Sequence, residues 1–457
     1  NAYAQATRTR PPAFWRLPET IRDEFRTTDG REQVLVTGGP MQGEIPSGDE
    51  WHAEADSKMI EMGFDRAEGV PAMYTMNVEV QDKIQRVIML KYADEFLLSL
   101  PRDHPVGTRV HEALVDAWGK KPELGEMNMT VEPTTWRGPQ WFRDHAKGTL
   151  TVYMTNHIVK SARKHCPELL EGKAIPILEK ISFKQIQAQF NELKLPPREE
   201  REAKLCPEQK KFQEIIGEMT FYMNAVPSIG FFHHRCTRIM SYPYPVHQAL
   251  VCAMYALKTA FDDRHKGVTA GGLLEDQPRM QFDMHAQLNL DGAPPNNTEI
   301  YTDATFGQLG GDQFAYAVHY HGMLVDYRVK AFKEIIDSVH AAEGIGITTV
   351  AMNAENIAEI TRALGEPIED PILICTDSIS NALASKGQAP STRVKHMLRK
   401  WQNLQMRVKR ALVRVLHVGD PSMPVDFLTK WVTLKKVNAS VIYLTNFYNR
   451  VPHPDER

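Results

Sequence analysis

The chain has 457 residues, which is enough for two or three domains that each bury a core of their own. Hydrophobic residues make up 42% of it and charged residues 24%, as in an ordinary globular protein, and no apolar run approaches the roughly 18 residues that a membrane span needs. The formal net charge of −3 argues against strong non-specific binding to nucleic acid over the whole surface, but it is compatible with a local basic patch.

The five cysteines are scattered and include no C-x-x-C pair. This spacing argues against a disulfide scaffold or a zinc ribbon and favours a reducing, intracellular environment. The printed sequence begins with Asn1 and shows no signal or transit peptide.

In the first part of the chain, Val87–Leu98 predicts a hairpin of two apolar strands with Asp94 and Glu95 at its turn. Acids at the tip of such a hairpin can supply a ligand to a catalytic metal ion. A solvated turn is the alternative interpretation of the same two acids.

The middle of the chain is predicted to be mostly helical. Residues 111–195 are amphipathic in places, and Leu195–Pro207 has the charged, proline-flanked composition of a linker. Phe212–Phe231 and Pro245–Lys258 predict two helices that are mostly core. Leu290–Asn297, rich in turn residues, predicts a domain boundary.

Beyond that boundary, strands alternate with helices, which predicts a mixed sheet covered by helices and an α/β (α+β) fold class. The helix between the third and fourth strands is expected over Phe332–Met352. The expected strands are Ile300–Ala304, Ala315–His321, Met323–Val329, Ile372–Thr376 and Ala411–Val418.

Four acids in this region are candidate metal ligands. Asp303 (EIYTDATFG) and Asp377 (ILICTDSIS) end apolar runs, whereas Glu343 (HAAEGIGI) and Asp426 (PVDFLTKW) lie on segments that read as helices. Carboxylates from separate elements suit Mg²⁺, and two such ions about 4 Å apart clamp a phosphodiester during displacement. Asp420 competes with Asp426 for the fourth place.

Histidines offer a weaker metal hypothesis. His319 and His321 alternate in a strand and therefore face the same way. They have no cysteine or third ligand at a suitable spacing, so ordinary core or surface histidines are favoured over zinc.

A basic run surrounds Trp401 and contains no acid. It predicts either a solvated helix face or, beside the carboxylates, a phosphate-binding track that positions a duplex without reading its sequence. The second interpretation is favoured. Its members are Arg393, Lys395, Arg399, Lys400, Arg407, Lys409, Arg410 and Arg414.

The short sequence motifs around the four acids resemble those of the ribonuclease H domain of copia-type retrotransposon polyproteins. In that domain the motifs T-D-A, A-E, T-D-S and A-D-x-x-T-K supply the metal ligands, in that order. Thr392–His396 (TRVKH) resembles the S-R-x-K-H run of that family. Upstream, Asn1–Ala6 and Lys58–Met76 resemble the reverse transcriptase of the same elements. Asp94 and Glu95 stand where that enzyme has Y-V-D-D.

The resemblance implies four regions: a partial polymerase palm at 1–110, a thumb-like part at 111–200, a connection-like helical part at 201–292 and a ribonuclease H-like domain at 298–457. The first palm aspartate would precede Asn1, so reverse transcriptase activity is not expected of these residues.

The resemblance also implies a ribonuclease H-type endonuclease that hydrolyses RNA in an RNA–DNA hybrid with two Mg²⁺ (or Mn²⁺) ions. Asp303 would bridge both ions, Glu343 and Asp377 would complete one site, and Asp426 would hold the other. One alternative is a domesticated, non-catalytic RNA-binding subunit of a large ribonucleoprotein such as a mitochondrial ribosome, with a mitochondrial location. Another is a fragment of an ordinary retroelement polyprotein.

Overall fold

The computed structural model describes residues 13–16, 34–37, 47–93, 95–101, 104–118, 130–201, 205–271, 298–307, 311–320, 322–333, 335–368, 371–387 and 398–456. Of the predicted site residues, Asp94, Arg393 and Lys395 lie outside the described residues, as does the predicted boundary segment 290–297. The chain divides into two compact units, one comprising Asn1–Val131 and Asn356–Pro367, the other Glu132–Glu355 and Ile368–Arg457.

The first unit is built on an antiparallel sheet whose strands follow one another in chain order. Strands Lys83–Tyr92 and Glu95–Ser99 pair antiparallel with Tyr92 opposite Glu95, so the predicted hairpin is confirmed. A separate antiparallel pair, β1–β2, precedes the sheet. The elements of this unit are β1 (Ala13–Arg16), β2 (Val34–Thr37), α1 (Ser47–Glu61), β3 (Asp65–Arg66), β4 (Met73–Val80), β5 (Lys83–Tyr92), β6 (Glu95–Ser99) and α2 (Val106–Trp118).

Helices α1 and α2 cover this sheet because their apolar residues recur at helical spacing. Trp51, Ala55 and Met59 form one buried stripe of α1, four residues apart. Trp118 of α2 meets Trp51 edge to face, with ring centroids 4.9 Å apart. The aromatic contact joins the two helices over one core.

The second unit opens with a helical part and a small antiparallel sheet of three strands, Gln140–Asp144, Thr149–Tyr153 and Val268–Gly271, in that spatial order. Ile215, Ile216 and Met219 are fully buried, which confirms the predicted core face. Helix α5 ends at Tyr222 and α6 starts at Gly230, because two short 3₁₀ turns around Pro227 interrupt the single helix that the sequence predicts. The elements are β7 (Gln140–Asp144), β8 (Thr149–Tyr153), α3 (Thr155–His165), α4 (Phe183–Glu192), α5 (Pro207–Tyr222), α6 (Gly230–Thr237), α7 (Val246–Asp262) and β9 (Val268–Gly271).

A five-stranded mixed sheet follows, in the order β12-β11-β10-β13-β14. The three strands of this sheet that come first in the chain, β10, β11 and β12, pair antiparallel. The pairs β10–β13 and β13–β14 are parallel. The α/β class and the mixed sheet are therefore confirmed. The strands are β10 (Thr298–Thr305), β11 (Gln313–Tyr320), β12 (Met323–Ala331), β13 (Ile372–Thr376) and β14 (Val413–His417).

Four helices accompany this sheet: α8 (Val339–Leu364), α9 (Ile379–Ser385), α10 (Leu398–Lys409) and α11 (Leu434–Leu444). The expected start of α8 at Phe332 is wrong. Strand β12 continues to Ala331, and the Oγ of Ser338 accepts a hydrogen bond from the N–H of Ala341, so the helix begins after Ser338. Within the described ranges, no helix is both long and apolar enough to cross a bilayer.

Candidate metal centre

Asp303 and Asp377 meet because β10 and β13 run parallel in register. Tyr301 lies opposite Cys375; Asp303 follows two residues later within β10, and Asp377 follows Cys375 by two residues, just past the end of β13. Side chains two residues apart point to the same face of a sheet, so Asp303 shares the face of Tyr301. The ends of these parallel strands thus deliver both carboxylates to one edge.

The third parallel strand brings another acid to the same edge. The N–H of Val418 donates to the carbonyl of Thr376 at 2.8 Å, which extends the β13–β14 pairing past the end of β14. Asp420 follows two residues after Val418. Asp426 lies in a single 3₁₀ turn, Asp426–Leu428, and not in a longer helix that begins after Pro424 as expected from the sequence.

Glu343 reaches the centre from the first turns of α8. Its Oε1 accepts a hydrogen bond from the N–H of Ala304, beside Asp303 on β10, at 3.2 Å. Gly346, one turn later, lies against the sheet, and a β carbon there would stand 3.1 Å from the Oγ1 of Thr302. The missing side chain lets the helix approach β10 closely enough for Glu343 to reach the strand.

The acids form two groups that share Asp377. The ligand oxygens of Asp303, Glu343 and Asp377 lie within 4.8 Å of one another, and so do those of Asp377, Asp420 and Asp426. We call these the first and the second triad. All four acids predicted from the sequence therefore come together, with Asp420 as a fifth member instead of a competitor.

The first triad is buried. Asp303 is 1% exposed and Glu343 is 4% exposed, and Asp303 Oδ1 and Glu343 Oε2 have no hydrogen-bond partner in the described part of the chain. Burial raises the pKa of Asp303 to about 8, against the opposing effect of Lys430 and with further increases from Asp426 and Asp377. Burial likewise raises the pKa of Glu343 well above its usual value, and Asp303 and Asp377 add to the increase.

A raised pKa on crowded, buried carboxylates means that their charge lacks compensation in the protein alone. The donors are all carboxylate oxygens, the ligand type that Mg²⁺ and Mn²⁺ prefer. The unpartnered oxygens of Asp303 and Glu343 point to the same conclusion. The residues of the first triad therefore fit a hard divalent cation.

The second triad contains two ammonium groups. Lys436 Nζ donates to Asp426 Oδ2 and also to the backbone carbonyl of Asp420, the latter at 2.7 Å. Lys430 Nζ lies 3.4 Å from Asp426 Oδ1, 3.3 Å from Asp420 Oδ1 and 3.8 Å from Asp303 Oδ1. Burial acts to lower the pKa of Lys430, but the surrounding carboxylates outweigh it and raise that pKa.

The pKa values of the exposed Asp420 and the buried Asp426 shift in opposite directions, although both aspartates lie beside the same lysines. Partial burial works against ionisation of Asp420, but Lys430 and Lys436 lower its pKa overall. Burial raises the pKa of Asp426 despite the hydrogen bond from Lys436. Burial also raises the pKa of Asp377, against the effect of Lys430.

Sequence reasoning missed three polar residues of the centre. Thr429 donates a hydrogen bond to Asp303 Oδ2 and orients that carboxylate. Lys430 belongs to the FLTKW segment that favoured Asp426 as a ligand. The spacing of a cation four residues after an acid is a sequence signal that could have identified it. Lys436 stands in the first turn of α11, and no local signal places it near Asp426.

The basic run is only partly available for phosphates. Arg407 makes a two-pronged ion pair with Glu355 of α8, with N–O distances of 3.1 and 2.9 Å. Arg399, Lys409 and Arg410 are exposed on or just after α10. Lys400 and Arg414 are half-buried.

Of the predicted histidine pair His319 and His321, the structure describes only His319, and this residue has a structural role. His319 is 1% exposed, and its Nε2 lies 3.1 Å from the carbonyl of Leu444. His321 lies outside the described residues. The side chain of His319 thus connects the sheet to the end of α11.

Neither the protein-family models nor the curated proteins match this sequence. Among solved structures, the chain is similar to the N-terminal RNase H domain of a Mycobacterium tuberculosis protein, solved as a fusion with maltose-binding protein (13% identity, TM-score 0.24, 32% of this chain and 96% of that one). It is also similar to LC11-RNase H1 in complex with an RNA/DNA hybrid (12% identity, TM-score 0.22, 28% and 88%).

A third similar structure is the foamy viral protease-reverse transcriptase in complex with an RNA/DNA hybrid (11% identity, TM-score 0.40). The match covers 95% of this chain and 47% of that one. The chain therefore spans about half the length of this viral protein.

Proposed function

We propose that this protein hydrolyses the RNA strand of an RNA–DNA hybrid in a reaction that depends on a divalent cation. The observation that supports the proposal most is the convergence of Asp303, Glu343 and Asp377, three acids picked from the sequence, with ligand oxygens within 4.8 Å of one another. The RNA–DNA hybrid as substrate is what the resemblance to copia-type ribonuclease H domains implies.

The carboxylates of Asp303, Glu343 and Asp377 would hold the cation. A bound divalent cation supplies a water of lowered pKa and neutralises charge on the phosphate. The protein contributes orientation: Thr429 fixes one oxygen of Asp303, and the N–H of Ala304 fixes one oxygen of Glu343. Each of these acids then has its other oxygen left for the cation.

Binding of the duplex is assigned to the basic face that α10 presents. The exposed cations Arg399, Lys409 and Arg410 would contact phosphates and set the position of the duplex without reading its sequence. Arg407 would not take part, because its guanidinium is already paired with Glu355.

One observation favours a second candidate, a non-catalytic RNA-binding protein derived from such an enzyme. Asp426, predicted as a ligand of the second ion, is bound to the ammonium of Lys436. A centre that has lost a cation-binding carboxylate to an internal ion pair is compatible with loss of catalysis. The cleavage assay below decides between the two candidates.

The test is cleavage of an end-labelled RNA–DNA hybrid with Mg²⁺ or Mn²⁺ by the native chain and by Asp377→Asn. Activity is expected in the native chain and a loss of about 100-fold or more in the variant, the scale for groups that stabilise developing charge. Asp326→Asn is the matched control, since Asp326 lies on β12 of the same sheet and belongs to neither triad. Its carboxylate pairs with the exposed Arg328 and accepts a hydrogen bond from the Tyr316 hydroxyl at 3.1 Å, which the amide oxygen of asparagine can also accept. A folded native chain that leaves the hybrid intact with either cation would refute the nuclease.

A further inference from the structure

We propose that the ammonium of Lys436 takes the place of the second divalent cation, so that this centre binds one divalent ion, at the first triad. The inference rests on the proposed function, because it concerns the cation that the nuclease would use. It replaces the two-ion arrangement that the sequence predicts with one ion and one fixed internal cation.

The two triads differ in which of their oxygens are already bonded. In the first triad, Asp303 Oδ1 and Glu343 Oε2 are buried and have no hydrogen-bond partner among the described residues. In the second triad, Lys436 Nζ bonds to Asp426 Oδ2 and lies 3.9 Å from Asp420 Oδ2. Asp426 Oδ1 is also without a hydrogen-bond partner among the described residues, but an ion bound to it would lie beside the ammonium that holds the other oxygen of the same carboxylate. In the first triad no ammonium of the described residues lies within hydrogen-bond distance of the unpartnered oxygens.

Lys436 is held in place at both ends of its side chain. Its backbone N–H donates to the Oγ1 of Thr433, the N-cap of α11, at 3.3 Å. Its Nζ donates to the carbonyl of Asp420 at 2.7 Å as well as to Asp426, and the side chain is 18% exposed. Asp426 itself is fully buried, so its carboxylate depends on a partner from within the protein.

The charge of the centre gives an independent reason for a single ion. Cation binding needs ionised carboxylates, and in that state the five acids (Asp303, Glu343, Asp377, Asp420 and Asp426) and the two ammonium groups (Lys430 and Lys436) sum to −5 + 2 = −3. One divalent cation brings the centre to −1, which leaves it still negative. Two would bring it to +1 while competing with an ammonium for the same oxygens.

Lys430 does not replace Lys436 in this arrangement. Its Nζ stands between the triads, 3.8 Å from Asp303 Oδ1 and 3.4 Å from Asp426 Oδ1. Both distances exceed those of a direct hydrogen bond, so Lys430 neutralises charge without filling a position at Asp303 or Asp426. The hydrogen bond that Lys430 does make, at 3.3 Å, goes to Oδ1 of the exposed Asp420. Lys436 is the residue whose removal opens the second triad.

The experiment counts bound Mn²⁺ by electron paramagnetic resonance and by calorimetric titration of the full chain, without nucleic acid. One ion is expected for the native chain and two for Lys436→Met, in which the ammonium is gone and Asp426 is released. Lys436→Arg keeps the positive charge and should bind one ion. Lys435→Met, a change at an exposed neighbour, should also bind one.

Two ions in the native chain, or one ion in a folded Lys436→Met chain, would overturn the inference. If Lys436→Met does not fold, as shown by circular dichroism, Lys436→Gln takes its place with the same expectation of two ions. A native chain that binds one Mn²⁺ but does not cleave a hybrid would refute the proposed nuclease and leave the single-ion inference standing.

Discussion

Gly346 of α8 lies against Thr302 of β10 so closely that a β carbon on the glycine would stand 3.1 Å from the threonine Oγ1. Glycine in a helix usually costs about 1 kcal/mol relative to alanine. At this position the absence of a side chain permits the close approach that brings Glu343 to the end of β10. The glycine is therefore part of how the centre is assembled.

This relationship predicts different outcomes for the same substitution at two helical glycines. Gly217→Ala, at an exposed position of α5 where the nearest atom is Met240 Cε at 3.7 Å, should stabilise the protein by about 1 kcal/mol. Gly346→Ala should give no such gain, because the new methyl group presses on Thr302. Gly346→Val should cost about 1–3 kcal/mol through overpacking.

Urea denaturation of the three variants measures these differences in the free energy of unfolding. The control is the native chain under the same buffer conditions. Equal stabilisation by alanine at both positions would show that α8 does not need the close approach.

Stability without a metal should depend on pH through Asp303. Its pKa is raised from about 3.9 in the unfolded chain to about 8 in the folded protein. The folded state therefore binds the proton more tightly, and the resulting stability is fully present below about pH 4 and is lost as the pH rises towards 8. Asp303→Asn carries no such proton, so it should gain stability relative to the native chain over this range.

Thermal melting of both chains in EDTA between pH 4.5 and 8.5 provides the comparison. Parallel curves would contradict the raised pKa. Replacing EDTA with Mg²⁺ should raise the melting temperature of the native chain more at pH 8 than at pH 5, because cation binding needs ionised carboxylates.

In the first unit, Asp56 is a buried acceptor for several donors. The hydroxyl of Tyr74 and the guanidinium of Arg66 both bond to it, and Lys91 Nζ lies 3.9 Å from its Oδ1. Burial lowers the pKa of Lys91, and Asp56 opposes this effect. Asp56→Ala should therefore cost about 3 kcal/mol or more, since it leaves a buried cation without its carboxylate.

The double variant Asp56→Ala/Lys91→Met separates the buried cation from the lost hydrogen bonds. It should recover part of the stability, and the remaining loss of about 1–3 kcal/mol would belong to the unpaired Tyr74 hydroxyl. A double variant no more stable than Asp56→Ala would show that Lys91 does not depend on this carboxylate. Chemical denaturation of the full chain measures all three.

The exposed cations of the α10 face should control the salt dependence of hybrid binding. Removing Arg399, Lys409 and Arg410 together by alanine should weaken binding and reduce the slope of log K against log salt by about 0.9 for each lost phosphate contact. Arg407→Ala should lower stability instead, because its partner is Glu355.

A triple alanine variant at Lys160, Lys180 and Lys184 changes the net charge equally at exposed positions of the same unit. It should leave the salt slope unchanged. If both triple variants reduce the slope to the same extent, binding follows the total charge and not the α10 face. Fluorescence anisotropy of a labelled hybrid at several salt concentrations makes the measurement.

The sequence by itself determined the order of elements in the mixed sheet and the four acids that would meet there. Strand-ending acids such as Asp303 and Asp377 are visible locally, because an apolar run, an acid and a turn or helix start are neighbours in the chain. Parallel pairing then places such strand ends at one edge. This is why Asp303 and Asp377 were recognisable as candidate neighbours without coordinates, whereas Glu343 and Asp426 were picked from the resemblance to copia-type ribonuclease H domains.

Only the tertiary structure decided how the second triad is satisfied and why Gly346 stands where it does. Lys436 and Asp426 belong to different elements, and whether an ammonium reaches a carboxylate depends on helix placement to within about an ångström, the scale of a hydrogen bond. The closeness of α8 to Thr302 is likewise a property of packing between segments distant in sequence. Helix propensity gives the free-energy cost of a glycine in a helix, but only the fold shows the contact that the glycine permits.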